Sequence, residues 1–315
     1  MKKINNLKII STGHYVPEKC LTNEDLEKIV DTSDKWIFSR TGIKNRHVIE
    51  NPDIENTSDL AYKASLNAIN KAKYDKNKID LIIVATFTPD YRSPSVANLV
   101  QAKLGLSHKE IPCFDINAAC AGFIYALNVA LQMLNSGNYK SALVIGAEVI
   151  TKFTDYTDRN TCVLFGDGAG AVILEKTLED KPAHFFTASQ GELDKLIYVD
   201  EFVHMNGKEV YLFATSILEK SIKKVLNDTN LSYNDIKTII PHQANLRIIQ
   251  TVAKNLGLDM SKFFINIGEY GNTSAASIAI ALDEFMMSPD AKPNDKVLLV
   301  GFGGGFTYAS AILTI

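Results

Sequence analysis

The sequence predicts an α/β fold in which β-sheets are covered by helices on both faces. Uninterrupted apolar strands, such as Lys78–Val84 and Val297–Gly301, alternate with amphipathic helical segments. Strands that are buried on both faces lack the polar alternation of half-exposed strands. The order of elements in the first half also recurs in the second half. We therefore predict a duplicated, layered α/β fold.

Six corresponding segments support the duplication, and they occur in the same order in both halves. In each half an amphipathic helix is followed by a buried strand, a helix end, a second strand, a small-residue turn into a helix, and a strand associated with a Gly-rich run. In the first half these are 58–68, 78–84, 102–105, 114–116, 117–127 and 142–146 with 166–170; in the second they are 218–226, 235–240, 253–257, 263–267, 270–282 and 297–301 with 303–305.

The copies are offset by about half of the 315 residues. We predict an N-terminal half over residues 1–176 and a C-terminal half over residues 177–315, with an opening strand within residues 1–10. Two less regular stretches, residues 11–57 and 174–205, interrupt the pattern. Irregular segments of this size are more often functional than idle.

Composition excludes several classes of protein. The chain is 46% hydrophobic and 22% charged with a net charge of −3, which is typical of a globular protein rather than a disordered or fibrous one. The charge balance gives no sign of nucleic-acid binding. No apolar run is long enough to span a bilayer, and the N-terminus lacks the apolar core of a signal peptide. We expect a soluble, cytoplasmic protein without membrane insertion.

The cysteine and glycine patterns do not predict a metal or a bound cofactor. Cys20, Cys113, Cys120 and Cys162 form no C-x-x-C pair, so neither a zinc site nor a redox dithiol is indicated. The run GDGAG at residues 166–170 lacks the strand–turn–helix context of a dinucleotide-binding loop. Tight packing between strands is the better interpretation of this run.

Cys120 is the candidate nucleophile. It lies in NAACAGF (residues 117–123), where a buried strand ends, small residues turn and a helix begins. The N-terminus of a helix stabilises a thiolate, the nucleophilic form of cysteine. Taken alone, this segment fits a buried structural cysteine equally well, because a catalytic cysteine needs a partner.

Two partners occupy similar turns in the second half. His242 follows a buried strand in PHQANLR (residues 241–247), and Asn272 lies in YGNTSAAS (residues 270–277). Each residue alone has a common structural interpretation, as a buried histidine or a turn residue. Because both halves carry these residues at the carboxyl ends of core strands, we expect the three side chains to meet. The sequence thus predicts a Cys-His-Asn active site.

These three segments resemble the active-site motifs of the β-ketoacyl-acyl-carrier-protein synthase III family, the initiating condensing enzymes of fatty-acid synthesis. The resemblance covers almost the whole chain and includes DTSDKWI (31–37), RTGI (40–43), FGDGAG (165–170) and FGGGF (302–306). It implies a thiolase-like αβαβα fold, a homodimer and an acyltransferase that uses acyl-CoA and acyl carrier protein. The C-terminal Gly-rich motif lacks the second cysteine of a thiolase, and Asn272 stands where elongating synthases have a second histidine.

The resemblance also implies roles for individual residues. Cys120 would be acylated, and His242 and Asn272 would stabilise the enolate formed when malonyl-acyl-carrier protein loses CO₂. Gly304 would complete an oxyanion hole and Phe302 would exclude water. Five residues would contact coenzyme A. Its adenine would lie between Trp36 and Arg159, and its pantetheine arm would contact Asn245. The other two, Arg40 and Arg247, together with Lys254, would form a basic rim that faces the phosphates and the carrier protein.

Three departures from the family pattern concern substrate choice. Leu212 stands where many of these synthases have lysine, and Ser93 stands where a bulky residue often ends the acyl pocket. Residues 174–205 also form a short version of a stretch that covers the acyl site in the family. These differences predict an altered or more open acyl pocket.

Two other functions fit the same residues. One is a specialised acyltransferase or condensing enzyme of secondary metabolism with a different acyl donor or acceptor. The other is a non-catalytic subunit of the same fold, which the presence of Cys120, His242 and Asn272 disfavours.

Overall fold

The computed structural model describes residues 6–315, so β1 begins inside the described part while residues 1–5 of the predicted opening strand lie outside it. The strands in chain order are β1 (Leu7–Tyr15), β2 (Cys20–Thr22), β3 (Asn45–His47), β4 (Ile82–Ala85), β5 (Cys113–Ile116), β6 (Ser141–Glu148), β7 (Gly168–Lys176), β8 (His184–Ser189), β9 (Ile197–Val199), β10 (Val203–Met205), β11 (Thr238–Pro241), β12 (Lys296–Gly303) and β13 (Thr307–Thr314).

The α-helices alternate with these strands. They are α1 (Asn23–Glu27), α2 (Asp34–Thr41), α3 (Thr57–Ala72), α4 (Val96–Lys103), α5 (Gly122–Asn135), α6 (Gly207–Thr229), α7 (Leu246–Leu256), α8 (Ile267–Tyr270) and α9 (Ala276–Met287). Within residues 6–315 no helix combines the length and apolar character needed to cross a membrane.

Two sheets repeat one topology, which confirms the predicted duplication. The first sheet has the strand order β1-β7-β6-β4-β5, and the second has the order β8-β13-β12-β11. Parallel pairing of β4 with β6 matches that of β11 with β12. A parallel bridge between Ile239 and Phe263 occupies the position that β5 holds in the first sheet.

Helices and sheets stack in five layers because the helices differ in how much apolar surface they carry. The central helices α5 and α9 are apolar over most of their surface and pack between the two sheets. One outer layer, α3 and α4, covers the first sheet, and the other, α6 and α7, covers the second. Helices buried on all sides need apolar residues around the whole circumference, whereas outer helices need one apolar stripe. The α/β, αβαβα prediction is confirmed.

The two irregular stretches form the structures that flank the site. Residues 11–57 contain the end of β1, the β2–β3 hairpin and helices α1 and α2. Residues 174–205 contain β8 and the β9–β10 hairpin. The last strand of the first sheet ends at Lys176 and the first strand of the second begins at His184. The division into halves at residues 176 and 177 remains a prediction about separate domains.

Candidate active site

Cys120 lies in a tight turn between β5 and α5. Residues 119–121 form a single 3₁₀ turn, and α5 begins two residues after the cysteine, at Gly122. Ala119 adopts a left-handed backbone conformation with φ of 47°, which is uncommon for a residue with a side chain and is concentrated at functional sites. The Cys120 Sγ lies 3.2 Å from the Ser274 Oγ. The turn thus directs the thiol toward the second half of the chain.

The buried thiol of Cys120 has a raised pKa. Burial raises this pKa to about 12, and the hydrogen bond with Ser274 only partly offsets this effect. Burial thus opposes the stabilisation of a thiolate expected from the adjacent helix N-terminus, and that stabilisation stays a prediction. A helix dipole contributes little compared with the desolvation of a buried charge. Formation of the nucleophile requires a proton acceptor.

His242 is held as a neutral imidazole. It follows β11 directly, is 2% exposed, and its backbone N–H donates to the Val300 carbonyl at 2.8 Å. Its Nδ1 lies 2.7 Å from the Ser277 Oγ, which also accepts the Gln243 backbone N–H at 3.4 Å. Burial lowers the pKa of His242 to about 3. A Ser277 hydroxyl that accepts from Gln243 donates to Nδ1, which leaves Nε2 as the protonated, donating nitrogen.

Asn272 is fixed by the turn that precedes α9. Its backbone N–H donates to the Leu164 carbonyl at 2.8 Å, and its side-chain Oδ1 accepts the Ser274 backbone N–H at 2.9 Å. The amide orientation is set by this acceptor role, and Nδ2 makes no hydrogen bond to residues 6–315. The side chain, 7% exposed, lines the same cavity as Cys120 and His242. Its free N–H group is available to a ligand there.

The three predicted residues share one cavity of about 950 Å³ between the two halves. Phe302 packs its ring edge-on against His242 at 5.7 Å between centroids and forms part of the wall. Gly304 lines the cavity beside Cys120. Most of the remaining wall is apolar and was not identified from the sequence: Phe87, Ile150, Phe153, Val163, Leu164, Phe165, Ile197, Tyr198, Val199, Val203 and Met205. Five of these come from the β9–β10 region, whose irregular sequence was the only signal.

Three of the five residues predicted to contact coenzyme A line the cavity. Trp36 and Arg40 of α2 line it together with Asn245. The Arg159 guanidinium lies over the Trp36 ring, 5.2 Å from its centroid, and donates to the Asp31 carbonyl at 2.8 Å. The two groups are therefore in direct contact, and a base that stacks between them must first separate them.

Asn245 and Arg247 have structural contacts of their own. The Asn245 Oδ1 accepts the Arg247 backbone N–H at 2.9 Å and caps α7, and its Nδ2 donates to the Arg40 carbonyl at 3.1 Å. Asn245 thus ties α7 to α2 at the cavity mouth. Arg247 is exposed and does not line the cavity. It is the second residue of α7.

Ser93 is exposed in the loop before α4 and does not line the cavity of its own chain. Its position at the end of an acyl pocket stays a prediction. Leu212 lies on α6, where it is 52% exposed.

A buried carboxyl group beside the cysteine was not identified from the sequence. Glu148 ends β6 and is fully buried. Its Oε1 accepts the Ser274 hydroxyl at 3.3 Å. Acidic residues are rarely buried without partners, but a single glutamate at the end of an apolar strand gives no motif.

Among the described residues, no group of three or more histidine, cysteine, aspartate or glutamate side chains is arranged to hold a metal ion. The acidic groups near the cavity are engaged within the protein instead. Asp167, for example, accepts the Thr151 hydroxyl and the Ile49 backbone N–H.

Comparisons with known proteins agree on one family. Residues 114–192 match the model of 3-oxoacyl-[acyl-carrier-protein (ACP)] synthase III, and residues 226–315 match that of its C-terminal region. The β-ketoacyl-[acyl-carrier-protein] synthases III of Acholeplasma laidlawii and Clostridium acetobutylicum are 53% and 50% identical to this chain; the first alignment covers 98% of both proteins and the second covers 98% of this chain and 99% of the other.

A solved structure extends the agreement to three dimensions. The crystal structure of 3-oxoacyl-[acyl-carrier-protein] synthase III from Aquifex aeolicus superposes with a TM-score of 0.94 at 43% identity and covers 98% of this chain and 100% of that one. Identity at this level over the full length goes beyond a shared fold. The chain belongs to the β-ketoacyl-acyl-carrier-protein synthase III family of condensing enzymes.

Proposed function

We propose that this protein catalyses the decarboxylating Claisen condensation of an acyl-CoA primer with malonyl-acyl-carrier protein, the step that initiates fatty-acid synthesis. The observation that carries the proposal is the common cavity of Cys120, His242 and Asn272. It places one nucleophile beside two neutral hydrogen-bond donors, in a family of condensing enzymes. The proposed reaction needs these three groups and no cofactor.

The first half-reaction acylates Cys120. The sulfur attacks the thioester carbonyl, the bond to the coenzyme A sulfur breaks, and an acyl-enzyme remains. The negative charge that develops on the carbonyl oxygen needs preorganised donors, for which the backbone N–H groups of Cys120 and Gly304 are the candidates. Both segments line the cavity, and they contact each other through Gly303.

The second half-reaction uses the two neutral donors. Loss of CO₂ from the malonyl group leaves an enolate whose charge lies on the thioester oxygen. Nε2–H of His242 and Nδ2–H of Asn272 are suited to that oxygen because both residues line the cavity and neither group has a hydrogen-bond partner among residues 6–315. The enolate carbon then attacks the acyl group on Cys120, and the sulfur leaves. Phe302 keeps the cavity wall apolar beside His242 and so limits access of water.

The cavity mouth suits the two large carriers. Trp36 offers a flat π surface for the adenine, and Arg159 is placed to cover it. Arg40, Arg247 and Lys254 form the proposed basic rim for phosphates and for an acidic carrier protein. Complementary charge at such a rim raises the rate of association more than it raises affinity.

We further propose that the protein acts as a cytoplasmic homodimer. The outer strand of the first sheet, β5, pairs with β4 on one side and with no other strand in the described part of the chain, so one of its edges is open there. A second copy that pairs at this edge would satisfy the strand's free backbone groups. Ser93 lies in the loop that precedes α4, on the side of β4 and β5, and a partner chain is the one route by which it could reach an acyl pocket.

Acylation by a panel of CoA thioesters tests the first half-reaction. We expect intact-mass spectrometry to show one acyl adduct after incubation with acetyl-, butyryl- or octanoyl-CoA, and none in Cys120→Ala. The exposed-cysteine variant Cys20→Ala is the matched control and should keep the adduct. An altered acyl pocket predicts acylation by longer primers, whereas strict acetyl preference contradicts that prediction. An adduct that survives Cys120→Ala contradicts the proposed nucleophile.

A further inference from the structure

Glu148 lies at the centre of a buried hydrogen-bond cluster next to the nucleophile. Its carboxylate accepts the hydroxyls of Thr86 at 3.0 Å and Thr88 at 2.5 Å, and the backbone N–H groups of Phe87 and Thr88 at 3.3 and 3.1 Å. A carboxyl group with this many donors is not a chance intrusion into the core. No step of the proposed condensation uses this cluster.

A continuous chain of contacts joins Glu148 to Cys120. The Cys120 Sγ lies 3.2 Å from the Ser274 Oγ, and the Ser274 Oγ lies 3.3 Å from the Glu148 Oε1. Ser274 is fully buried and its backbone is left-handed, with φ of 50°. The unusual conformation holds the hydroxyl between the two groups, and strained residues of this kind are concentrated at functional sites.

Charge balance favours Glu148 over His242 as the acceptor of the thiol proton. Transfer to His242 would create a thiolate and an imidazolium, two charges in a buried cavity. Transfer to Glu148 moves one negative charge from oxygen to sulfur and creates no new charge, so the desolvation cost changes little. Burial raises the pKa of Glu148 to about 7 and lowers that of His242 to about 3. These shifts also make Glu148 the stronger proton acceptor of the two.

We propose that Glu148, acting through the hydroxyl of Ser274, accepts the proton of Cys120 as the sulfur attacks the acyl donor. The proposal rests on the proposed function, in which Cys120 is the nucleophile. Glu148 is a positioning residue in this scheme, because it touches neither substrate nor the reacting carbon.

The step balances in atoms and charge. The S–H bond of Cys120 breaks as its proton passes to the Ser274 oxygen, while the Ser274 O–H proton passes to the Glu148 Oε1. The sulfur keeps the electron pair, and the pair of residues carries one negative charge before and after. The proton remains on Glu148, from which the departing coenzyme A sulfur can recover it.

Other charged groups near Glu148 affect its protonation equilibrium. Lys152, largely buried on the neighbouring 3₁₀ turn, interacts with Glu148 and also with Asp90 and Asp167. Its Nζ donates to the Asn56 Oδ1 at 2.7 Å. Because this one cation interacts with three carboxyl groups, its charge does not neutralise Glu148 alone.

The pH dependence of Cys120 alkylation distinguishes this proposal from a purely structural role. In the wild-type protein the first proton is lost from Glu148, whose carboxylate can then accept the thiol proton through Ser274 as the sulfur attacks iodoacetamide, so we expect the alkylation rate to rise to a plateau near neutral pH. In Glu148→Gln the acceptor is gone, and the rate at pH 7.5 should fall by about tenfold or more, rising only at alkaline pH.

A purely structural role for Glu148 predicts the opposite change in the alkylation rate. If Glu148 acts only as a nearby negative charge, its removal lowers the pKa of Cys120, and alkylation of Glu148→Gln at pH 7.5 is unchanged or faster. That result would overturn the proposal. The measurement is made on the full chain by peptide mass spectrometry at Cys120, without acyl-CoA or carrier protein. Failure of the proposed condensation activity therefore leaves this readout unaffected.

Two further variants keep the test decisive if Glu148→Gln does not fold. Ser274→Ala removes the hydroxyl that links Cys120 to Glu148 but keeps the backbone N–H that donates to Asn272. It should reproduce the loss of Cys120 alkylation at neutral pH. Thr86→Val removes a donor to the Glu148 carboxylate but leaves the contacts from Cys120 through Ser274 to Glu148 intact. It should keep the plateau of the alkylation rate near neutral pH. Wild-type alkylation in Ser274→Ala would contradict the relay.

Discussion

Gly303 of β12 lies directly against the backbone of Cys120: a Cβ at position 303 would come within 2.5 Å of the Cys120 nitrogen and 2.8 Å of the Ala119 Cβ. This contact joins the strand of the second sheet to the nucleophile of the first half. It requires a residue without a side chain, since real Cβ atoms do not approach other atoms so closely. The Gly-rich segment thus places the cavity wall against the nucleophile.

Gly303→Ala should therefore damage the active site. The added methyl group would displace the Cys120 turn, so we expect slower Cys120 acylation together with a loss of stability of about 1–3 kcal/mol, measured by urea unfolding. Gly191→Ala is the matched control because no atom lies within 4 Å of a Cβ built there. Unchanged acylation in Gly303→Ala would contradict the packing described here.

Removal of either neutral donor should separate the two half-reactions. His242→Ala and Asn272→Ala are each expected to slow condensation with malonyl-acyl-carrier protein by about 10²–10³-fold, the usual effect of deleting one oxyanion donor. The acyl-enzyme should still form, because Cys120 is left intact. Single-turnover mass spectrometry measures both steps, and the exposed His108→Ala serves as control. Equal loss of both steps would argue against donors that act on the enolate.

Arg159→Ala should weaken binding of the acyl donor without changing the chemistry. The guanidinium lies 5.2 Å from the Trp36 ring centroid, and Arg159 does not line the cavity that contains Cys120. Loss of a cation–π contact worth about 1 kcal/mol predicts a roughly fivefold higher KM for acyl-CoA at similar kcat. Lys220→Ala, an exposed cation on α6, should have no effect. A selective fall in kcat would contradict a role in binding.

The raised pKa of Glu148 predicts that the free energy of unfolding depends on pH. Its pKa is about 7 in the folded protein, above its ordinary value of 4.5. A group with a raised folded pKa contributes stability that is present below pH 4.5 and is lost as pH rises through 7. Between pH 4 and 8 the wild-type protein should lose about 3 kcal/mol relative to Glu148→Gln. Urea unfolding at several pH values measures this difference, and a constant difference would contradict the raised pKa.

The sequence was sufficient to predict the fold and the three central residues because both leave local patterns. Buried strands, helix periodicity and their repetition predicted the layers. Cys120, His242 and Asn272 each follow a recognisable strand at its carboxyl end, where the topology of parallel sheets brings side chains together. These features depend on short-range order in the chain.

Other properties depend on contacts that only the folded chain defines. Ser274 and Glu148 are far apart in sequence and meet because α9 packs against the first sheet. The sequence indicated the helix N-terminus beside Cys120 but not the burial that raises the pKa of its thiol. The role of Ser93 was inferred from the family resemblance, and its exposure follows from the path of the loop. None of these outcomes leaves a periodic or motif-like signal.

Formation of a β-ketoacyl product tests the central claim most directly. Purified protein is incubated with acetyl-CoA and malonyl-acyl-carrier protein, and the carrier protein is analysed by intact mass, with Cys120→Ala and His108→Ala in parallel. We predict acetoacetyl-acyl-carrier protein with the wild type and His108→Ala, and none with Cys120→Ala. An acyl-enzyme that forms but never yields a β-ketoacyl-carrier product, with any primer accepted by Cys120, would contradict the condensing function and favour a specialised acyltransferase.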